Sequence, residues 1–416
     1  MDEVDALVVG AGPAGSTLAA RLAVAGHRVR VVEEHPKVGH PVQCAGLVSQ
    51  RVLDLAGSSS FVRTSVRGAS VFGPSLESIS FRAEAPRAFV IDRAGLDVYL
   101  ADRAARAGAE IRTSTRFDSV DGPSGDGITA HLRGPDGTPE EVRARLVIGA
   151  DGVASRVARA FRLRRPVEVL PAFEAEFPRS PGDPETVEVY LGRRFAPGLF
   201  GWWIPDGVGG ARVGVATDAN GTPTREYFNR LLDYLERRFQ HRFANPTAYL
   251  VSGIPIGTLP RTHAPRALLV GDAAAQVKPL SGGGIFTGMR CAEIAADVAS
   301  QALARDDLSE GFLAEYDRRW RHEFGEEFRR ALYLRRLFTR LSDDELDRVI
   351  HALKGARLAA TIVAFGDIDF PTHVARELLK ESPGLVRLLP KAFGAWVSSG
   401  AGAYRAPELE FGPLRK

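Results

Sequence analysis

The hydrophobic pattern changes period repeatedly along this chain, and each change marks an element. DALVVG (5–10) is a short unbroken apolar run, which predicts a buried strand. The turn Gly10-Ala11-Gly12-Pro13-Ala14-Gly15 follows, then a helix over STLAARLAVAG (16–26) that Gly26 ends, then a second strand over HRVRVVEE (27–34). Residues 4–33 therefore read as a βαβ unit. In IDRAGLDVYLADRAARAGAEI (91–111) a short strand ends at Asp92-Arg93, and a helix follows with Leu96, Leu100 and Ala104 on one face. Residues 116–148 are hairpin-rich, with turns at DGPSGDG and GPDG, and 143–159 reads as strand, Gly149-Ala150-Asp151-Gly152 turn and helix.

From 166 to 260 the period becomes that of strands. ETVEVYLG, GARVGVAT and LVSGIPIG alternate, with a helix over TREYFNRLLDYLERRF among them, so an antiparallel sheet domain is expected, joined by 66–90. The nucleotide-type pattern resumes over 266–299. From 306 onward the pattern is helical. Phe312, Tyr316, Trp320, Phe324 and Phe328 recur every four residues as a packing stripe, and Ser342-x-x-Glu345 is a capping box ahead of Leu346, Val349, Ile350 and Leu353. The expected architecture is α/β: a discontinuous Rossmann-like domain (1–65, 91–165, 261–305), an antiparallel-sheet domain (66–90, 166–260) and a C-terminal helical region (306–416).

Composition narrows the class. With 416 residues, 44% hydrophobic and 25% charged, the chain suits a globular protein of two or three domains. A net charge of +3 without a dense basic tract argues against nucleic acid as a partner. The acidic start MDEVDALVVG does not read as a signal peptide, and no apolar run approaches the ~20 residues that span a bilayer. Cys44 and Cys291 are too distant for a short redox pair and lack metal-ligand spacing, so no metal and a reducing, cytoplasmic setting are expected. SPGLVRLLPKAFGAWVSSG (382–400), with Arg387 and Lys391 among apolar residues, reads either as a packed helix or as an interfacial segment making peripheral membrane contact.

The candidate chemistry begins at the glycine turn. Gly10, Gly12 and Gly15 sit between strand and helix, and Glu33 ends the second strand 18 residues beyond Gly15. This is the dinucleotide fingerprint: glycines let the backbone approach a pyrophosphate, the helix N-terminus offers it N–H groups, and Glu33 accepts from ribose hydroxyls. No second fingerprint exists, which implies one permanently bound dinucleotide and a reductant that docks transiently.

GAGPAG (10–15), GADG (149–152) and LLVGDAAAQVKPLSGGG (268–284) together resemble the FAD-binding fold of the p-hydroxybenzoate hydroxylase class. That resemblance implies FAD, held by Gly10, Gly12, Pro13, Ala14, Gly15 and Glu33, with Arg93 near its phosphates or ribityl chain and Asp151 beside it. Asp272 binds the ribityl chain, caps a helix, or does both. The Gly282-Gly283-Gly284-Ile285 turn opens a helix whose N–H groups face the pyrimidine edge of the flavin.

EEHPKVGHPVQCAGLVS (33–49) resembles the corresponding segment of the geranylgeranyl reductase family, particularly its archaeal lipid-reducing branch. The resemblance places Cys44, Ala45 and Leu47 against the flavin, with Cys44 near the substrate as a candidate catalytic group; a buried packing cysteine is the other reading. The family's P-x-x-Y-x-W-x-F-P motif stands here as Pro197, Phe200, Trp202, Ile204 and Pro205, and makes Phe200, Trp202, Ile204 and Pro205 the candidate substrate wall. The implied activity is FAD-dependent saturation of C=C bonds in prenyl chains, those of a glycerophospholipid. The electron donor stays open between NADPH, a reduced deazaflavin and a ferredoxin. Phe200-x-Trp202-x-Ile204-Pro205 and Val277-x-Pro279-x-Ser281-x-Gly283 also approach motifs of flavin-dependent halogenases, so a monooxygenase or halogenase is the alternative. Those halogenases need an early lysine, and none occurs between Lys37 and Lys278. An electron-carrying flavoprotein at a membrane is the third reading.

Overall fold

The structure is a computed structural model that describes residues 2–122, 127–166, 168–354 and 356–381. The segment 382–400 lies outside the described residues. An eight-stranded sheet forms the first layer, with strand order His263–Ala264, Ala267–Leu269, Pro139–Gly149, Asp2–Val9, Val29–Val32, Glu110–Arg112; Ile128–Arg133 pairs antiparallel with Pro139–Gly149, and Arg116–Val120 with it in turn. From Ala267–Leu269 to Glu110–Arg112 every pairing is parallel. Parallel strands need cover on both faces, which is why Val29–Val32 is buried at every position.

One face packs Ala6, Val8, Val29 and Val31 against the helices Pro13–Val24, Arg93–Arg106, Ile285–Arg305 and Glu310–Phe338. The aromatic stripe belongs to this core: Tyr316, Trp320, Phe324 and Phe328 are buried there, with Phe312 at its margin. Phe117, Ala130, Leu132 and Val157 close the other face over Leu7, Val9 and Val147. The first helix begins at Pro13, three residues before the position expected, because proline is preset for the first helical turn and loses no needed N–H there.

The second layer is a seven-stranded sheet, ordered Ala248–Ile256, Glu168–Phe177, Ala211–Ala216, Phe200–Pro205, Thr186–Tyr190, Gly68–Phe72, Ser78–Arg82. It is antiparallel except where Thr186–Tyr190 runs parallel to Gly68–Phe72. The segment 66–90 is shared between two sheets, because Ala88–Ile91 forms the centre of a separate three-stranded sheet with Leu47–Val48 and Val62–Val66. The helix Thr224–Phe239 covers one face of the seven-stranded sheet, burying Tyr227, Phe228, Leu231 and Leu235 against Phe177, Trp203, Val213 and Val215. The other face turns Ala172, Trp202, Ile204 and Ala216 toward Ala45, Leu47, Ala88 and Val90.

Helices Asp343–Ala352, Ala356–Phe365 and Pro371–Glu381 follow the long helix Glu310–Phe338. Both halves of the Ser342–Glu345 capping box form. Among the described residues, no helix is long and apolar enough to cross a membrane.

Candidate active site

Strand ends and two helix starts converge on a cavity of about 560 Å³. After Val9, Gly10 turns the chain at φ +103°. Its N–H donates to Val32 O at 2.8 Å, and Ala150 N donates to Val9 O at 2.8 Å. A Cβ on Gly10 would lie 2.4 Å from Ala150 O, and one on Gly15 would lie 2.0 Å from Gly10 O. The close approach of these backbones therefore requires glycine at both positions. The helix that follows has Gly12 as N-cap, no side-chain cap and no acidic residue in its first turn. Its uncapped N–H groups and positive dipole end open on the cavity beside Gly10, Gly12, Pro13 and Ala14. Gly15 does not line the cavity; it lets the turn close.

Glu33 lines the same cavity. Its Oε2 accepts from Ala11 N at 3.0 Å, and Oε1 accepts from His35 N at 3.0 Å and meets His35 Nδ1 at 2.6 Å. The carboxylate thus ties the glycine turn to the second strand and keeps lone pairs for further donors. Asp151 serves the backbone instead. It accepts from Ser155 Oγ at 2.6 Å, Arg156 N at 2.7 Å and Val157 N at 3.1 Å, so its carboxylate holds the start of the short helix Arg156–Ala160. It still forms part of the cavity wall.

Arg93 projects into the cavity from the helix Arg93–Arg106. It pairs with Asp97 one turn on, yet its Nε is buried with no hydrogen-bond partner. Asp272 faces it. Burial raises the Asp272 carboxyl to about 6, while the positive charge of Arg93 pulls the other way. Asp272 caps neither neighbouring helix. Instead it packs against the glycine turn, where a Cβ on Gly284 would lie 3.0 Å from its Oδ1. Gly282, Gly284 and Ile285 line the cavity, and the helix Ile285–Arg305 starts there with no side-chain cap. Gly283 lies behind them, and its missing side chain leaves room for Lys278, whose Cε would be 2.9 Å from a Cβ there.

Lys278 carries no sign of this place in the sequence pattern. Its Nζ is buried and donates to Asp369 Oδ1 at 2.8 Å and Ile368 O at 2.9 Å. Arg51 binds Asp367 through both terminal nitrogens and Asp369 through one. The segment 367–369, from the C-terminal helical region, is thereby clasped onto the triple-glycine turn.

Cys44 lines the same cavity and is half-buried. Gly46 N donates weakly to its Sγ at 3.5 Å, and burial pushes the thiol up from its ordinary value. Ala45 and Leu47 do not reach the cavity; they pack on the inner face of the seven-stranded sheet with Trp202 and Ile204. That face holds two further groups invisible from local sequence. Arg212, fully buried, donates to Ala45 O and to Ile91 O, the latter at 3.1 Å, and pairs with Glu176 at 3.0 Å. Glu174, on the next strand, is 3% exposed. The register sets Trp202, Gly214 and Glu174 side by side on three adjacent strands. With no side chain on Gly214, the Trp202 indole crosses that strand and donates from Nε1 to Glu174 Oε2 at 2.6 Å.

Phe200 lines a second cavity, of about 530 Å³, among Pro197, Leu199, Pro279, Leu280 and residues of the helical region such as Phe338 and Leu346. Trp202, Ile204 and Pro205 are buried in the sheet and line neither of these two cavities. The two cavities have adjacent walls at Gly282: a Cβ there would touch Ile254, in the wall of the first, at 3.1 Å and Leu199, in the wall of the second, at 3.7 Å.

Residues 3–327 match the family described as FAD binding domain. The chain is 36% identical to digeranylgeranylglycerophospholipid reductase 2 of Methanothermobacter thermautotrophicus, over 92% of this chain and 98% of that one. The chain belongs to the geranylgeranyl reductase family of FAD-binding proteins. A solved relative, a geranylgeranyl bacteriochlorophyll reductase-like protein from Thermoplasma acidophilum, superposes with a TM-score of 0.79 at 26% identity, covering 92% of this chain and all of that one. The chondrochloren halogenase of a myxobacterium shares the fold, with a TM-score of 0.64 at 21% identity over 79% of this chain and 82% of its own. The cofactor of this reductase family is FAD, and the cavity suits it: a glycine cradle that any Cβ would fill, two uncapped helix starts, and an unpartnered buried nitrogen on Arg93.

Proposed function

We propose that this chain reduces isolated C=C bonds in the geranylgeranyl chains of a glycerophospholipid. The observation that carries the reading is the near full-length identity to a digeranylgeranylglycerophospholipid reductase. The second cavity suits such a substrate: it is lined largely by apolar side chains, and its wall adjoins that of the cofactor cavity where Leu199 and Ile254 flank Gly282. Bound FAD, once reduced, supplies hydride.

The chain's own residues hold and seal that site. Gly10, Gly12, Pro13 and Ala14 receive the pyrophosphate at the first helix start, Glu33 takes the ribose, Arg93 and Asp272 take the phosphate or ribityl portion, and Gly282, Gly284 and Ile285 meet the ring. Cys44 walls the reactive side, where a small weakly polar thiol leaves room for an alkene. Phe200 borders the prenyl path, with Trp202, Ile204 and Pro205 as the packed sheet behind it. Excluding water there keeps the reacting carbons in a dry environment.

The reductant docks transiently, as NADPH, a reduced deazaflavin or a ferredoxin, and the protein works from the cytoplasmic side in peripheral contact with the membrane that holds its lipid. A halogenase reading is disfavoured, because those enzymes need an early lysine and none occurs between Lys37 and Lys278. The test is anaerobic incubation of the reduced holoenzyme with a digeranylgeranyl phospholipid, followed by mass spectrometry. A gain of H2 per double bond is expected. An unchanged lipid, with oxygen uptake coupled instead to an aromatic substrate, would overturn the proposal.

A further inference from the structure

Saturating an unconjugated alkene needs a proton as well as a hydride, and the proton must come from a group that stays protonated near neutral pH in an apolar place. We propose that Glu174 is that proton donor, its carboxyl held by the Trp202 indole on the inner face of the seven-stranded sheet. The assignment rests on the reductase reading above.

Four observations support it. Glu174 is almost completely buried, and while Oε2 is held by Trp202 at 2.6 Å, Oε1 is buried with no hydrogen-bond partner. A buried carboxyl oxygen left without a partner is costly to a fold and calls for a reason. Its partner Trp202 belongs to the apolar cluster of Ala45, Leu47, Leu199, Phe200 and Ile254, and Leu199, Phe200 and Ile254 of that cluster line the two cavities behind which Glu174 sits. Glu174 is also within electrostatic range of Cys44, in the wall of the cofactor cavity. Finally, burial lifts the Glu174 carboxyl to about 7, with Arg212 and the Trp202 hydrogen bond opposing and Glu176 adding to the rise. A general acid is most effective near the working pH. Cys44, pushed up from an already higher value, holds its proton more tightly.

In the reaction the π bond is replaced by two C–H bonds. One carbon takes hydride with its electron pair from the reduced cofactor, which is oxidised by two electrons. The other takes the proton from Glu174. The carboxylate left behind is stabilised by the Arg212 charge and the Trp202 N–H, and regains a proton from water between turnovers. The charged and titratable groups facing Glu174 are Arg212 and Glu176 on the sheet, with Cys44 on the cofactor wall within electrostatic range.

The test uses reduced holoenzyme, a digeranylgeranyl phospholipid and the variants Glu174→Gln and Glu174→Asp. Glu174→Gln keeps the Trp202 hydrogen bond and is expected to retain flavin and bind lipid normally, while single-turnover reduction slows about 100-fold or more. Glu174→Asp should recover part of the rate. The wild-type rate should fall as pH rises through about 7. Infrared difference spectroscopy of the resting protein should show a protonated-carboxyl band that titrates over the same range and is missing in Glu174→Gln. If the wild type reduces the lipid and Glu174→Gln does so within about threefold of its rate, the assignment falls while the reductase reading stands. Absence of the band at neutral pH also overturns it. If the wild type leaves the lipid unreduced, the function falls and the proton-donor role with it.

Discussion

The cofactor cavity is shaped by glycine turns and two uncapped helix starts, whereas the inner face of the seven-stranded sheet is built from interlocking side chains. The first region needs glycine: Gly10 and Gly15 are fixed by contacts of 2.4 and 2.0 Å that no Cβ could enter. The second needs register: Trp202, Gly214 and Glu174 meet because three adjacent strands of one sheet align. Backbone recognition tolerates many neighbouring side chains and suits a cofactor common to many enzymes. Side-chain recognition is where one chemistry is set apart from another on a shared fold. A reductase-like protein and a halogenase share this fold.

The link between the regions is Arg212, and its removal is the most severe way to break the comparison. The guanidinium is buried, pairs with Glu176, and donates to the carbonyls of Ala45 and Ile91. Arg212→Ala leaves Glu176 and both carbonyls without their partner, and is expected to cost about 3–5 kcal/mol in chemical denaturation, with weakened flavin retention. A loss below about 1 kcal/mol would mean that the two regions stand independently. Gly15→Ala comes next. Overpacking against Gly10 O is expected to cost about 1–3 kcal/mol and to strip most of the flavin, read from absorbance of the purified protein. The sheet should survive, with tryptophan emission little changed.

This contrast also explains what could be read from the chain. The cofactor region was legible because its glycines, helix starts and strands are contiguous: GAGPAG, GADG and the triple glycine each carry their geometry locally. The α/β class and the capping box followed from period and spacing for the same reason. The parallel pairing of Thr186–Tyr190 with Gly68–Phe72 left no local mark, since it joins segments more than a hundred residues apart. Glu174 sits in an alternating strand, where a glutamate reads as solvent-facing until the adjoining domain is seen to cover it. Lys278 and Asp369 each looked ordinary until folding brought them into one buried pair.

A milder change sharpens the account of the sheet face. Trp202→Phe keeps an aromatic ring and removes the N–H that holds Glu174 Oε2. The lost hydrogen bond should cost about 1 kcal/mol. It also removes an influence that lowers the Glu174 carboxyl, so the carboxyl should rise above about 7. The sign follows from proton uptake. The folded state keeps the Glu174 proton up to about pH 7, while the unfolded chain loses it near the ordinary glutamate value of 4.5. This group's contribution to stability is therefore greatest below about 4.5 and declines as pH rises toward 7. In Trp202→Phe the decline should extend to higher pH, as denaturation midpoints between pH 5 and 8 would show. An unchanged pH dependence would mean that the indole does not govern this carboxyl.

The smallest expected effect is that of Phe200→Tyr, which restores the hydroxyl of the family motif. Phe200 is half-buried at the edge of the second cavity, with its ring centroid 6.2 Å from that of Trp202 in an edge-on arrangement. The same cavity includes the polar side chains of Asp218 and Asn220. An added hydroxyl therefore has water or polar neighbours within the cavity and need not be buried unpaired, so stability should change by no more than about 0.5 kcal/mol. On the same scale, the KM for a digeranylgeranyl phospholipid should move by less than about threefold. That result would make the cavity a passage for hydrocarbon, indifferent to one polar atom. A shift of more than about tenfold between lipids that differ only in headgroup would show instead that this cavity receives the polar end of the substrate, and that the prenyl chain reaches Gly282 from the opposite direction.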